Sequence, residues 1–117
     1  MVKIEIVQDL KKRMKEDNQY VRDVMAGKVP LKPAVHTILL TPETFSAVFS
    51  PERIRLLLAL RNWDGNIYQL AKELGRPYEA VHRDITYLEG FELIKIVSKG
   101  RERFPTLAGR IRMPAFA

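Results

Sequence analysis

The chain contains no cysteine. That excludes a disulfide framework and any thiolate metal site. Only two histidines are present, His36 and His82, and no second ligand lies near His36 in the sequence. No apolar run approaches the roughly 20 residues that span a bilayer, so a membrane partner is not expected. The N-terminal apolar stretch is interrupted by Lys3 and Glu5 and does not read as a signal peptide, and a cytoplasmic location is the simplest reading. Enzyme signatures are missing as well: no G-x-x-x-x-G-K-[ST], no H-E-x-x-H and no G-x-S-x-G. No nucleophile with an orienting acid is spaced around His82, so no catalytic residue, metal ligand, cofactor or small-molecule effector is expected.

What is present is positive charge, unevenly placed. Twenty Lys and Arg face 14 Asp and Glu, for a net charge of +6 and a pI near 9.8. From Leu93 onward Lys95, Lys99, Arg101, Arg103, Arg110 and Arg112 stand against Glu102 alone. Such a local excess suits phosphate, and it equally suits a solvated surface. At 117 residues, 46% of them hydrophobic, the chain is long enough for one modest core.

Asn66 to Leu93 holds the most organised pattern. Ile67, Leu70, Ala71 and Leu74 recur at i, i+3, i+4, i+7 behind a capping Asn66, which marks one face of a helix. Gly75 supplies a left-handed C-terminal cap, and Pro77 suits the first turn of a second helix. On that helix Val81, Ile85 and Leu88 form another apolar stripe. Leu93 to Val97 reads as a strand, Ser98 to Arg101 as a hairpin tip turning on Gly100, and Glu102 to Leu107 as the returning strand. Pro105 requires an edge or bulge position in it. Arg110 to Met113 has the composition of one more short strand.

Upstream, Val2, Ile4 and Ile6 alternate with charged residues, which predicts a short strand. A helix is expected from Asp9 to about Ala26, with an imperfect apolar face of Leu10, Met14, Asp17, Tyr20, Val21, Val24 and Met25. Its Lys11–Lys15 run could touch phosphate or simply face water. Gly27 to Pro33 is a connector. Val35 to Leu40 predicts a strand that pairs with the first within the chain or across a dimer, and His36 in it reads as structural. Thr41-Pro42-Glu43 and Ser50-Pro51-Glu52 both have the grammar of helix starts. The first helix runs to about Phe49. The second, Pro51 to about Asn62, is the most apolar in the chain and is expected to lie buried behind the paired helices. Trp63 reads as a lid on the core or an exposed stacking surface.

The segment Leu70-Ala71-x-x-Leu74-Gly75, followed by Val81, Ile85 and Leu88-Glu89, resembles the helix-turn-helix of winged-helix transcriptional regulators. Tyr78 through Glu89 is similar to archaeal members related to the ArsR and MarR types. The resemblance spans Ser50 to about Arg112. Those families place a glycine just before the leucine that opens the wing, whereas here Glu92 holds that position and Gly90 sits earlier, so the exit from the second helix is open to a different path. The lack of cysteine sets the chain apart from metal-sensing ArsR relatives.

Together with the upstream pattern, the resemblance points to an α+β, mostly α fold: a winged helix-turn-helix domain over 41–117, and, read from the residues themselves, an N-terminal strand-helix-strand extension over residues 1–40 that by elimination forms the dimer interface. It implies a homodimer on double-stranded DNA, with the second helix in the major groove. The face opposite the buried stripe presents Tyr78, Glu79, His82, Arg83 and Thr86, with Arg76 in the turn before it. Arg83 suits a bidentate contact to guanine and could equally pair with Glu79. Lys99, Arg101 and Arg103 on the wing suit phosphates or a narrow minor groove. Tyr87 is expected against the wing. Two rival readings remain: a winged-helix protein–protein module in a transcription, replication or other assembly, and an RNA- or ribosome-binding protein.

Overall fold

A computed structural model describes residues 1–31 and 36–114. The elements run β1 (Val2–Ile6), α1 (Leu10–Met25), β2 (His36–Leu40), α2 (Pro42–Val48), α3 (Pro51–Ala59) with a 3₁₀ turn at Leu60–Asn62, α4 (Ile67–Leu74), α5 (Tyr78–Gly90), β3 (Ile94–Lys99), β4 (Glu102–Leu107) and β5 (Ile111–Arg112). This is the expected mostly helical α+β architecture. Pro33 and Val35, the expected ends of the connector and start of the second strand, lie outside the described residues, as does Ala117 at the end of the expected domain.

The starts of α1 to α4 follow from their capping residues, whereas α5 begins after Pro77 without a side-chain cap. The side chains of Asp9, Thr41 and Ser50 accept hydrogen bonds from the backbone N–H of Lys12, Thr44 and Arg53, with Pro42 and Pro51 in the first turn of α2 and α3. Asn66 and Gln69 form a reciprocal capping box on α4: Gln69 N donates to Asn66 Oδ1 and Asn66 N to Gln69 Oε1, each at 2.9 Å.

The core gathers one face from each of α3, α4 and α5 with β1 and β3. Leu56, Leu70, Val81, Ile85, Leu88, Leu93 and Ile4 are fully buried. The stripe Val81, Ile85, Leu88 therefore points inward as its spacing required. In α3 the expectation of a wholly buried helix fails. Leu56 and Leu57 are buried, but Ile54 and Leu58 are 41% and 56% exposed, because only one face of α3 meets the other helices. They line an open groove with Phe49, Leu107 and Ile111.

Two small sheets complete the fold. β3 and β4 pair antiparallel from Ile94↔Leu107 to Lys99↔Glu102. Gly100 turns the hairpin at φ 63°, and Pro105 lies in a two-stranded sheet in which every strand is an edge. The other sheet has the order β2-β1-β5, all parallel. β1 pairs with β2 within the chain, from Val2↔His36 to Ile6↔Leu40. β5 adds to its other side through Val2↔Ile111 and Lys3↔Arg112, so one sheet joins the N-terminal extension to the end of the chain. Glu5 ties this sheet to α1 by accepting from Arg13 Nη1 at 2.6 Å. Burial pushes its carboxyl up, but the hydrogen bonds from Arg13 and Lys3 outweigh this and hold it below the usual range.

The exit from α5 explains the residue that departs from the family pattern. Glu92 has φ 61°, alone in positive φ among the described non-glycine residues. Leu93 N bonds Leu88 O at 3.1 Å and Glu92 N bonds Glu89 O at 2.9 Å, which is a Schellman termination with Glu92 at the left-handed position. The path is thus the one a glycine would take, held by a residue whose Cβ opposes it. The exposed pair between Glu92 Oε2 and His36 Nε2, 2.8 Å apart, offsets little of that. Glu92→Gly should raise stability by about 0.5–1 kcal/mol, measured as a higher urea midpoint at unchanged m-value.

Candidate nucleic-acid interface

Gly75 takes φ 63° at the C-cap of α4, and Arg76 N closes the turn on Ala71 O at 3.0 Å. Pro77 follows in an extended conformation and α5 begins at Tyr78. With Val81, Asp84, Ile85 and Leu88 buried, the spacing i, i+3, i+4, i+7 brings Glu79, His82, Arg83 and Thr86 together on the opposite face. Glu79, Arg83 and Thr86 are exposed and His82 is half-buried. No ion pair joins Glu79 to Arg83 among the described residues, so the Arg83 guanidinium projects unpaired. Thr86 Oγ1 donates back to His82 O at 2.9 Å.

Tyr78 is fixed by stacking. Its ring lies 4.4 Å from that of Tyr68 on α4, at 20°, and 5.7 Å from the His82 ring. Tyr68 is 65% exposed and was not among the sequence candidates. Its signal was a large aromatic on the polar side of the amphipathic α4, one residue past the buried Ile67.

Arg76 points elsewhere. Its Nη2 bonds Asp84 Oδ2 at 2.8 Å, and its Nε lies 3.6 Å from Glu52 Oε2. Asp84 Oδ1 accepts from Arg53 Nε at 3.3 Å. Arg53 also donates to Ala47 O and lies over the Tyr87 ring, 4.1 Å from its centroid. Tyr87 therefore packs under Arg53 of α3 and, edge to face, against Phe91, half-buried on the core that includes Ile94 of β3. The Arg53 cation, held in place by Asp84, is attracted by the face of that ring. Asp84 is 8% exposed and was missed in the sequence, although it completes the i, i+3, i+4, i+7 set with Val81, Ile85 and Leu88.

The wing presents Lys99, Arg101 and Arg103, all exposed and without an ion pair among the described residues. Lys99 Nζ lies 5.5 Å from the Phe104 ring centroid. Asn66 Nδ2 donates to Glu102 Oε1 at 3.1 Å, which ties the hairpin to the start of α4. Trp63 is half-buried against the core, its indole N–H buried without a partner among the described residues. A Cβ on Gly65 would lie 2.8 Å from the Trp63 ring, so this turn needs glycine.

Three helices closed by a β-hairpin, with the middle turn capped by a left-handed glycine, define a winged helix-turn-helix. The chain belongs to the family described as HVO_A0114, whose sequence model matches residues 48–110, more than half its length. No curated protein sequence matches it. Among solved structures it is similar to NolR from Sinorhizobium fredii, with a TM-score of 0.53 at 14% identity, covering 88% of this chain and 83% of that one. RV1404 from Mycobacterium tuberculosis gives a TM-score of 0.48 at 18% identity, over 86% and 65% of the two chains. Heme-free PefR gives 0.47 at 16% identity, over 85% and 82%. The likeness to NolR shows the winged-helix fold. No helix among the described residues is long and apolar enough to cross a membrane.

The Asp84 carboxylate bridges two guanidiniums that are themselves 23% and 20% exposed. Asp84→Ala should lower stability by about 2–4 kcal/mol, since both cations lose the carboxylate they share, and Asp84→Asn should cost less than half of that. Denaturant unfolding of the two variants beside the parent checks the order.

Proposed function

We propose that this chain is a homodimeric, sequence-specific double-stranded-DNA-binding transcriptional regulator acting in the cytoplasm, of the archaeal ArsR/MarR-like kind. The observation that carries the reading is the outward face of α5. Glu79, Arg83 and Thr86 stand exposed, with half-buried His82 between them, on a helix whose other side is locked by Val81, Asp84, Ile85 and Leu88. A helix so held can enter a major groove without rearranging.

In that placement Arg83 reads guanine through O6 and N7. The Thr86 methyl suits a thymine methyl, and His82 and Glu79 suit neighbouring base edges. Tyr78, braced by Tyr68, reaches a phosphate with its hydroxyl. Arg76, expected from the sequence to contact DNA, instead serves by fastening the turn before α5 to Asp84. Lys99, Arg101 and Arg103 on the hairpin lie on the backbone or in the adjacent minor groove, where they position the protein more than they specify sequence. Two copies would read half-sites about one helical turn apart.

Duplex binding at two salt concentrations tests this. If roughly six to ten phosphates are neutralised per dimer, affinity should fall ~10³–10⁵-fold between 50 and 200 mM salt. A Lys99/Arg101/Arg103 triple-alanine variant should weaken binding to all sequences and flatten the salt dependence. Arg83→Ala should lose discrimination at one base position, at a cost of about 1–3 kcal/mol. A purified protein that ignores duplex DNA at low salt would instead favour a protein–protein module.

A further inference from the structure

The exposed side of α3 faces an open groove of about 800 Å³. One wall is α3 and its 3₁₀ extension, where Ile54, Leu57 and Leu58 recur at i, i+3, i+4. The other wall is the chain after the wing, with Leu107, Ile111 and Met113. Met113 is 47% exposed, much as Ile54 and Leu58 are. Those six side chains are aliphatic, and Phe49 supplies the one ring. Aliphatic surface left in water is unfavourable, and the volume falls within the ~300–1,000 Å³ typical of small-molecule sites.

Charge in the groove is of one sign. Arg61 comes from the helix wall and Arg110 from the wall opposite, and among the described residues no Asp or Glu lines it, although the chain has 14. Both arginines are exposed, and neither makes an ion pair among the described residues. Arg53 and Arg76, on the other side of the helical core, share the carboxylate of Asp84. Beside this aliphatic floor the chain supplies no such acid. Asn62 adds an amide that can donate or accept.

We infer that this groove binds a small amphipathic acid, an alkyl monocarboxylate whose chain covers the aliphatic floor and whose carboxylate is held by Arg61 and Arg110. Guanidinium and carboxylate match in charge and in hydrogen-bonding geometry. The groove of a second copy does not suit, because two such grooves face to face gather four guanidiniums with no acid among them. A cationic amphiphile is excluded for the same reason. The other exposed apolar surface, on α1, sets Asp17 among Leu10, Met14 and Val21, so it does not select an acid. The site goes beyond the DNA-binding reading and does not depend on it.

The probe is decanoate below its micellar range, with decanol and decyltrimethylammonium as matched controls, on the full chain without DNA. Calorimetry should show saturable, single-site binding of decanoate, at least about tenfold tighter than decanol, and no binding of the cation. Methyl NMR should locate it: Ile54, Leu58 and Met113 shift, whereas Met14 and Met25 of α1 do not. Arg61→Gln with Arg110→Gln should reduce decanoate to the affinity of decanol at an unchanged urea midpoint, since both side chains are exposed. Leu58→Asp should abolish binding of both. Decanol bound as tightly as decanoate, decanoate binding that survives the double glutamine variant, or shifts as large on α1 as in the groove overturns the proposal. Duplex binding is a separate measurement, and its failure leaves this site standing.

Discussion

The carboxylate of Asp84 is the point through which three parts of the winged helix are referred to one another. Arg53 brings α3 and, through Ala47, the end of α2; Arg76 brings the turn; Asp84 itself is on α5. Apolar packing of Val81, Ile85 and Leu88 presses α5 against the core but leaves it free to slide or rotate slightly, because aliphatic contacts are weakly directional. Two guanidiniums on one carboxylate are directional. They fix which residues of α5 face out, and so whether Arg83 stands clear of the protein. Such a cluster gains less stability than its short distances suggest, since three charges have been taken out of water. Its contribution is to specify an arrangement.

Cations in this chain therefore divide into two kinds. Arg13, Arg53 and Arg76 are each bound to an acid within the fold and organise it. Arg83, Lys99, Arg101 and Arg103 are exposed and make no ion pair among the described residues. The count of charges in the sequence does not distinguish the two, and the excess near the C-terminus looks alike whether it solvates or binds. Position relative to the buried stripe does distinguish them. Arg76 follows a glycine cap and lies within reach of the acid on the inner face of α5, whereas Arg83 lies on the outer face one residue before it.

The helices and hairpin were legible because their determinants are local. Asn66 and Gln69 cap, Gly75 and Gly100 turn, and the period of Leu70, Ala71 and Leu74 chooses a face. What was not legible depends on residues far apart in the chain. The short strand in Arg110 to Met113 was legible but its partner was not: β5 joins β1 across more than a hundred residues. Ile54 and Leu58 read as core because they are aliphatic, and only the packing of the other helices reveals that their side of α3 is left open. The Arg53 cation over the Tyr87 ring was hidden for a similar reason: it comes from another helix. Asp84 was the nearest miss, since its spacing placed it on the buried face, and an acid there requires a partner.

Glu92 carries this argument one step further. A helix-turn-helix that must present a fixed face needs its second helix to end cleanly, with the next residue turned into the wing. The backbone solution at that point is a left-handed residue, and the hydrogen bonds from Glu92 and Leu93 to the last turn of α5 require it whatever side chain is present. Leu93 and Ile94, both buried immediately afterwards, hold the strand in place from the other side. Termination is thus over-determined: core burial on one side and a closed helix end on the other leave only one path for the peptide between them. A sequence position at which glycine is the natural choice can then carry another residue, because the fold supplies the conformation that the residue itself disfavours.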